Sequence, residues 1–180
     1  MAPTAATLSP RPVKRVFVSH GWGPREHEAL LDRFIADLGE KLRYLPPSPA
    51  RAYSVELWFD RHRVHARTAT FDDQTVPACQ ASDAMVLMLS DKFYHSPGCK
   101  AEVDCFRDAS GRFRHDRAVK IQLSGRRSDG DPEMVSGPVQ PELFRPDIPN
   151  LLALWEKGDA HLRDAFLCAV RDDLLAILDQ

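Results

Sequence analysis

The amino-acid sequence predicts an α/β fold, a three-layer sandwich with helices on both faces of a central parallel sheet. Three observations predict it. Ala84-Met85-Val86-Leu87-Met88-Leu89 is an unbroken apolar run of strand length, the pattern of a strand covered on both faces. Val16-Phe17-Val18 repeats that pattern near the start of the chain. Between and after these runs, strand and helix signals alternate: strand, helix, strand, helix, strand, helix, strand, helix. Alternation of this kind is what crossover-connected parallel strands require.

Taken in order, residues 1–13 are small and proline-rich without an apolar segment, which predicts a disordered tail rather than a signal peptide or anchor. The domain is expected over 14–180. Arg15–Ser19 is the first strand. His20-Gly21-Trp22-Gly23-Pro24 follows as a loop whose glycines allow a tight turn or a close approach to a ligand. From Glu28 to Leu42, Leu30, Leu31, Phe34, Ile35, Leu38 and Leu42 recur at three- and four-residue steps, the stripe of an amphipathic helix. Pro46-Pro47-Ser48-Pro49 marks a stiff surface excursion. Val55–Phe59 is the second strand, with Val55, Leu57 and Phe59 on one face and Glu56 and Trp58 on the other.

The next loop, Asp60–Thr70, carries Arg61, His62, Arg63, His65 and Arg67 with Asp60 as its one acid. Such a loop either meets phosphates or forms a solvated interface. No cysteine lies near its two histidines, which argues against zinc. Phe71–Ser82 reads as a short helix bent or restarted at Val76-Pro77, and the central strand Ala84–Leu89 follows. Ser90 and Asp91 end that strand, His95-Ser96-Pro97-Gly98 reads as a turn, and a helix starts at Cys99. Gly111 breaks the pattern, and Arg112, Arg114, His115 and Arg117 read as a solvated loop. Val119–Leu123 is a further strand, placed near an edge because Lys120 and Gln122 alternate with apolar residues. Ser124–Pro146 is a long irregular connection. Leu151–Trp155 is a short helix or a strand and turn. Asp159 caps a closing helix bearing Leu162, Phe166, Leu167, Val170, Leu174, Leu175 and Leu178.

Composition narrows the function classes. The 180 residues are 43% hydrophobic and 28% charged, with 24 basic against 26 acidic side chains, so bulk charge does not mark a nucleic-acid binder. The four cysteines, Cys79, Cys99, Cys105 and Cys168, include no close pair, which predicts a reducing compartment, a cytoplasmic location and no structural metal. No stretch reaches membrane-spanning length.

The alternation places Ser19–Gly23, Asp60–Thr70 and Ser90–Cys99 along one edge of the sheet, where the strands end and open α/β sheets keep their chemistry. Glu102 stands beside that group. Two readings of it are open: an acid near a helix start that favours the dipole, or an acid that does chemistry.

An ordered set of motifs resembles the TIR (Toll/interleukin-1 receptor) domain family of the bacterial type. It comprises Val16-Phe17-Val18-Ser19-His20, Leu57-Trp58-Phe59-Asp60, Ala81-Ser82-Asp83, Leu89-Ser90-Asp91-Lys92-Phe93-Tyr94, and Ser96-Pro97-Gly98-Cys99-Lys100-Ala101-Glu102, similar to the family's Ser-x-x-Cys-x-x-Glu signature. The match covers residues 14–123; from Ser124 onward only the general plan agrees. Asp60–Thr70 lacks the glycine the family often carries in that loop. The resemblance implies a flavodoxin-like sheet and cleavage of NAD+ between nicotinamide and ribose, with Glu102 as the catalytic carboxylate and NAD+ as substrate rather than cofactor. It further implies Ser19, His20, Gly21, Trp22, Trp58, Asp60, Arg67, Ser90 and Cys99 as substrate-binding positions, and Arg61 and Arg63 as interface positions. Self-association, a sensor domain or partner protein, and a role in antiphage or cell-suicide defence belong to the same expectation. The alternative is a non-catalytic TIR interaction module. A weaker one is a nucleotide or deoxyribosyl transferase, which shares the open sheet and an acidic nucleophile.

Overall fold

The computed structural model describes residues 11–21, 23–44, 51–59, 71–125, 139–140 and 147–180. Its centre is a parallel sheet of β1 (Val13–His20), β2 (Ser54–Phe59), β3 (Ala84–Leu89), β4 (Ala118–Gln122) and the two-residue β5 (Val139–Gln140), in the spatial order β2-β1-β3-β4-β5. This is the flavodoxin-like strand order, and the layers are those of a three-layer α/β sandwich. β3 is central, and all six of its residues are buried. Alternation sends Ala84, Val86 and Met88 into one core, and Met85, Leu87 and Leu89 into the other.

The first core lies under α1 (Arg25–Arg43), α5 (Leu151–Lys157) and α6 (Ala160–Leu178). α1 contributes Leu31, Phe34, Ile35, Leu38 and Leu42, and α6 contributes Phe166, Leu167, Val170, Leu174, Leu175 and Leu178. Each such fully buried side chain stabilises the fold by about 1.5–3 kcal/mol relative to exposure. The second core lies under α2 (Phe71–Gln80), α3 (Asp91–His95) and α4 (Pro97–Cys105), with Phe17, Cys79, Phe93, Cys99, Val103, Phe106 and Phe113 joining the β3 residues. The faces of β2 are as the sequence predicts: Val55 and Leu57 pack on the first core and Trp58 on the second.

Several elements depart from the sequence reading, each for a local reason. β1 starts at Val13, inside the expected tail, because backbone pairing with Ser54 and Val55 extends the ladder beyond the apolar residues. α1 starts three residues before Glu28, in a polar turn with no apolar period. α4 starts at Pro97 rather than Cys99. Ser96 accepts the Cys99 N–H at 3.3 Å, and Pro97 is preset for the first helical position. Asp91–His95 forms its own short helix, capped by Ser90.

β4 lies near an edge as expected, with the two-residue β5 beyond it, but not for the expected reason: Lys120 and Gln122 are 1% and 3% exposed. The Lys120 Nζ lies 2.9 Å from His115 Nδ1 and 5.6 Å from the centre of the Phe113 ring. The Gln122 amide donates to the Ser124 carbonyl at 2.7 Å. Polar alternation here marks internal bonding, not solvent. The loop before β4 is likewise ordered: Gly111 takes φ +79 in a turn closed by the Arg107–Phe113 bridge, and Phe113 is buried. Asn150 and Asp159 cap α5 and α6 through bonds from Ala153 N (3.0 Å) and Leu162 N (2.8 Å). No described helix is long and apolar enough to cross a membrane.

A polar tie joins the start of β2 to the end of α6. Tyr53 donates to Asp179, and Arg51 Nε lies 3.1 Å from the other carboxylate oxygen. Burial, followed by the Asp179 carboxylate, pushes Tyr53 up to about 12, while the Tyr53 bond and then Arg51 hold Asp179 below its ordinary value. The carboxylate contribution is present above the ordinary pKa of about 3.9 and disappears as pH falls through the lower folded value. The tyrosine contribution is present below about pH 10 and disappears as pH rises towards 12. Asp179→Asn should therefore cost about 0.5 kcal/mol at pH 7, the range of a partly exposed pair, and less at pH 3, below the ordinary carboxylate value. Urea denaturation of both proteins at the two pH values checks this.

Candidate active site

In a sheet of this order the chain runs outward from β1 to β2 and then crosses to β3 on the far side of β1. The two sides part at the C-terminal ends of β1 and β3, where open α/β sheets bind ligands. Ser19 and His20 end β1 there, Gly21 follows them, and Ser90 and Asp91 follow β3.

Glu102 reaches this point from α4. Its side chain is 4% exposed, and it accepts a hydrogen bond from the Ser19 hydroxyl. The dipole reading fails on position: Glu102 is the sixth residue of α4, beyond the first turn in which an acid favours the dipole, and it is buried. A carboxylate out of water requires donors, and the β1 serine supplies one. α4 is fixed on the other side by α2, where the Cys79 thiol donates to the Glu102 carbonyl at 3.4 Å. Burial pushes the Cys79 thiol well above its ordinary value, with Cys105 and Glu102 acting in the same direction. Burial also raises the Cys105 thiol. These thiols are packing and hydrogen-bonding groups, not nucleophiles at neutral pH. All four cysteines are free.

The structure divides the remaining predicted residues into groups. Ser19 and Glu102 meet on the second-core side of the sheet. His20, the next residue, points to the opposite face. It is 4% exposed, its ring packs 4.8 Å from Phe59, and its Nε2 lies 3.6 Å from Glu28 Oε2. Glu28 also accepts the Gly23 N–H at 2.8 Å, so the end of β1, the loop and the first turn of α1 are tied together. Sequence reasoning missed Glu28; its signal was an acid in the first turn of a helix just after a glycine loop.

Gly21 holds the two loops together. A Cβ there would lie 2.4 Å from the Phe93 nitrogen and 2.5 Å from the Lys92 carbonyl carbon. Only glycine lets the β1 loop lie against the α3 backbone. Ser90 is buried and accepts the Phe93 N–H at 3.2 Å, capping α3. Cys99 is buried beside Phe93 and Val103 in the second core. Trp58 stacks on Phe17 at 4.8 Å with 12° between the rings, so one face of its indole is taken up by packing. Trp22, Asp60, Arg61, Arg63 and Arg67 lie outside the described residues. Among the described residues, no group of three or more His, Cys, Asp or Glu side chains could hold a metal ion.

The Gly21 contact generates a prediction. Gly21→Ala must separate the β1 loop from the Lys92–Phe93 backbone, and overpacking of this kind costs about 1–3 kcal/mol. A lowered urea midpoint with an unchanged slope is the expected result, whereas an unchanged midpoint would mean that the loops part freely.

No protein-family model, curated protein or solved structure matches the chain.

Proposed function

We propose that the protein hydrolyses NAD+ at the bond between nicotinamide and ribose, with Glu102 as the catalytic carboxylate. The observation that carries this reading is the buried Glu102 side chain, hydrogen-bonded to Ser19 at the topological switch point of the sheet. The ordered motifs that resemble the bacterial TIR family support it.

The chemistry suits one oriented carboxylate. The nicotinamide of NAD+ carries a positive charge, so it leaves as a neutral molecule without a strong acid. The C1′–N bond breaks, its electron pair goes to the ring nitrogen, and positive charge develops on the ribose. A fixed carboxylate beside C1′ stabilises that oxocarbenium-like centre, and its low-dielectric surroundings strengthen the attraction. Water then adds to C1′ and loses a proton, giving ADP-ribose. The role of Ser19 is positioning: its O–H holds one carboxylate oxygen, so less of the carboxylate must reorganise as charge develops. The Gly21–Phe93 contact holds the adjoining loops at the mouth of the site.

Glu102→Gln retains an oxygen for the Ser19 hydroxyl while removing the charge. Nicotinamide release should fall by about a hundredfold or more, the scale set by loss of a preorganised electrostatic group, with the thermal transition retained. Release at the wild-type rate from folded Glu102→Gln protein would refute the assignment and favour a non-catalytic interaction module.

Assembly belongs to the same proposal and rests on sequence. Arg61 and Arg63 lie in a basic stretch of a chain with a net charge of −2. A local positive surface steers association with an acidic surface of a second copy, and head-to-tail contacts that do not close propagate. Specific activity should therefore fall on dilution, and charge reversal at Arg61 and Arg63 should weaken both assembly and cleavage. Sedimentation and nicotinamide release measured across a protein dilution series test this. Constant specific activity from a monomer would overturn the assembly reading.

A further inference from the structure

α2, which packs against the helix that carries Glu102, bears a buried hydroxyl group that the fold leaves unused. Thr75 is 1% exposed, and its Oγ1 has no hydrogen-bond partner. A threonine inside a helix ordinarily returns its hydroxyl to a carbonyl one turn back, and Thr75 does not. A buried hydroxyl without a partner destabilises a fold relative to an apolar group of the same shape.

Its position is fixed by two contacts and a periodicity. α2 packs against α4, and Cys79 on α2 donates to the Glu102 carbonyl at 3.4 Å. Thr75 precedes Cys79 by four residues, so the two side chains share the face of α2 turned towards α4. α2 crosses from the end of β2 back to the start of β3. Thr75 therefore lies one turn, about 6 Å, nearer the C-terminal edge of the sheet than Cys79. The Glu102 side chain leans the same way, because side chains tilt towards the N-terminus of their helix and α4 starts at that edge. Ser19 and Glu102 meet at this edge, and Thr75 lies towards the same edge on the helix packed beside α4.

We propose that the Thr75 hydroxyl is a substrate-positioning group beside Glu102, bonding a ribose hydroxyl of the ligand. This rests on the NAD+ reading of the same site. A threonine hydroxyl both donates and accepts, which matches a sugar hydroxyl.

The test uses the full chain with Thr75→Val, which removes the hydroxyl while keeping the shape, and Thr75→Ser, which restores it. The probes are ADP-ribose in thermal-shift measurements and NAD+ in nicotinamide-release kinetics. Without ligand, Thr75→Val should melt at or above the wild-type temperature. It should lose most of the ADP-ribose shift and show a KM for NAD+ raised about five- to tenfold, the loss of one hydrogen bond, with kcat held within about twofold. Thr75→Ser should match wild type in both readouts. A Thr75→Val protein that melts several degrees lower assigns the hydroxyl to the fold and overturns the proposal, whatever its KM. An unchanged KM and ADP-ribose shift in Thr75→Val overturn it while leaving the hydrolase reading standing. An ADP-ribose shift lost in Thr75→Val, in a wild-type protein that releases no nicotinamide, upholds the Thr75 role and refutes cleavage. A wild type that neither binds ADP-ribose nor cleaves NAD+ refutes both.

Discussion

A carboxylate removed from water must be held by donors, and Glu102 is held across the gap between two layers. The Ser19 hydroxyl at the end of β1 reaches it from the sheet, while the Cys79 thiol fixes the helix that carries it through the Glu102 carbonyl. The bond to Ser19 exists only if α4 lies correctly over β1 and α2 lies beside α4. Both conditions follow from the second core, in which Phe17, Met85, Leu87 and Leu89 on the sheet meet Cys79, Cys99 and Val103 from above. Hydrophobic packing sets the layers, and the layers place the Glu102 carboxyl group within reach of the Ser19 hydroxyl.

The two faces of the sheet do different work at the same edge. On the second-core side, Ser19 and Glu102 form a buried hydrogen-bonded pair. On the other side, His20 and Glu28 join the end of β1 to the first turn of α1, and Gly23 completes the tie. Adjacent residues of one strand thus join different helices, because alternation turns them to opposite faces. Gly21, next in the chain, meets the α3 backbone and closes the edge between β1 and β3.

Much of this architecture is legible in the sequence, because long apolar runs leave few options. Ala84–Leu89 contains no polar residue and can only be a strand covered on both faces; its neighbours follow from the alternation of elements. Features that depend on contacts between distant residues were not legible. Lys120 and Gln122 have the spacing of an exposed face, yet His115, Phe113 and the Ser124 carbonyl accommodate them inside. Ser96-Pro97 can serve either a turn or a helix start, and the cap bond to Cys99 decides for the helix. Val139–Gln140 pairs with β4 from within a stretch whose composition indicates only a loop. At the site, the Ser-x-x-Cys-x-x-Glu spacing pointed to Glu102. Its Ser19 partner is 83 residues away in sequence, and the unused hydroxyl of Thr75 is a property of packing alone.

The most direct test of the central claim is a crystal structure of the Glu102→Gln protein grown with NAD+. The account predicts intact dinucleotide at the C-terminal edge of the sheet, with the nicotinamide ribose beside Ser19 and residue 102. Dinucleotide bound elsewhere on the molecule, with the Ser19 hydroxyl and residue 102 still joined and no ligand near them, would contradict it and leave their bond as a purely structural tie between β1 and α4.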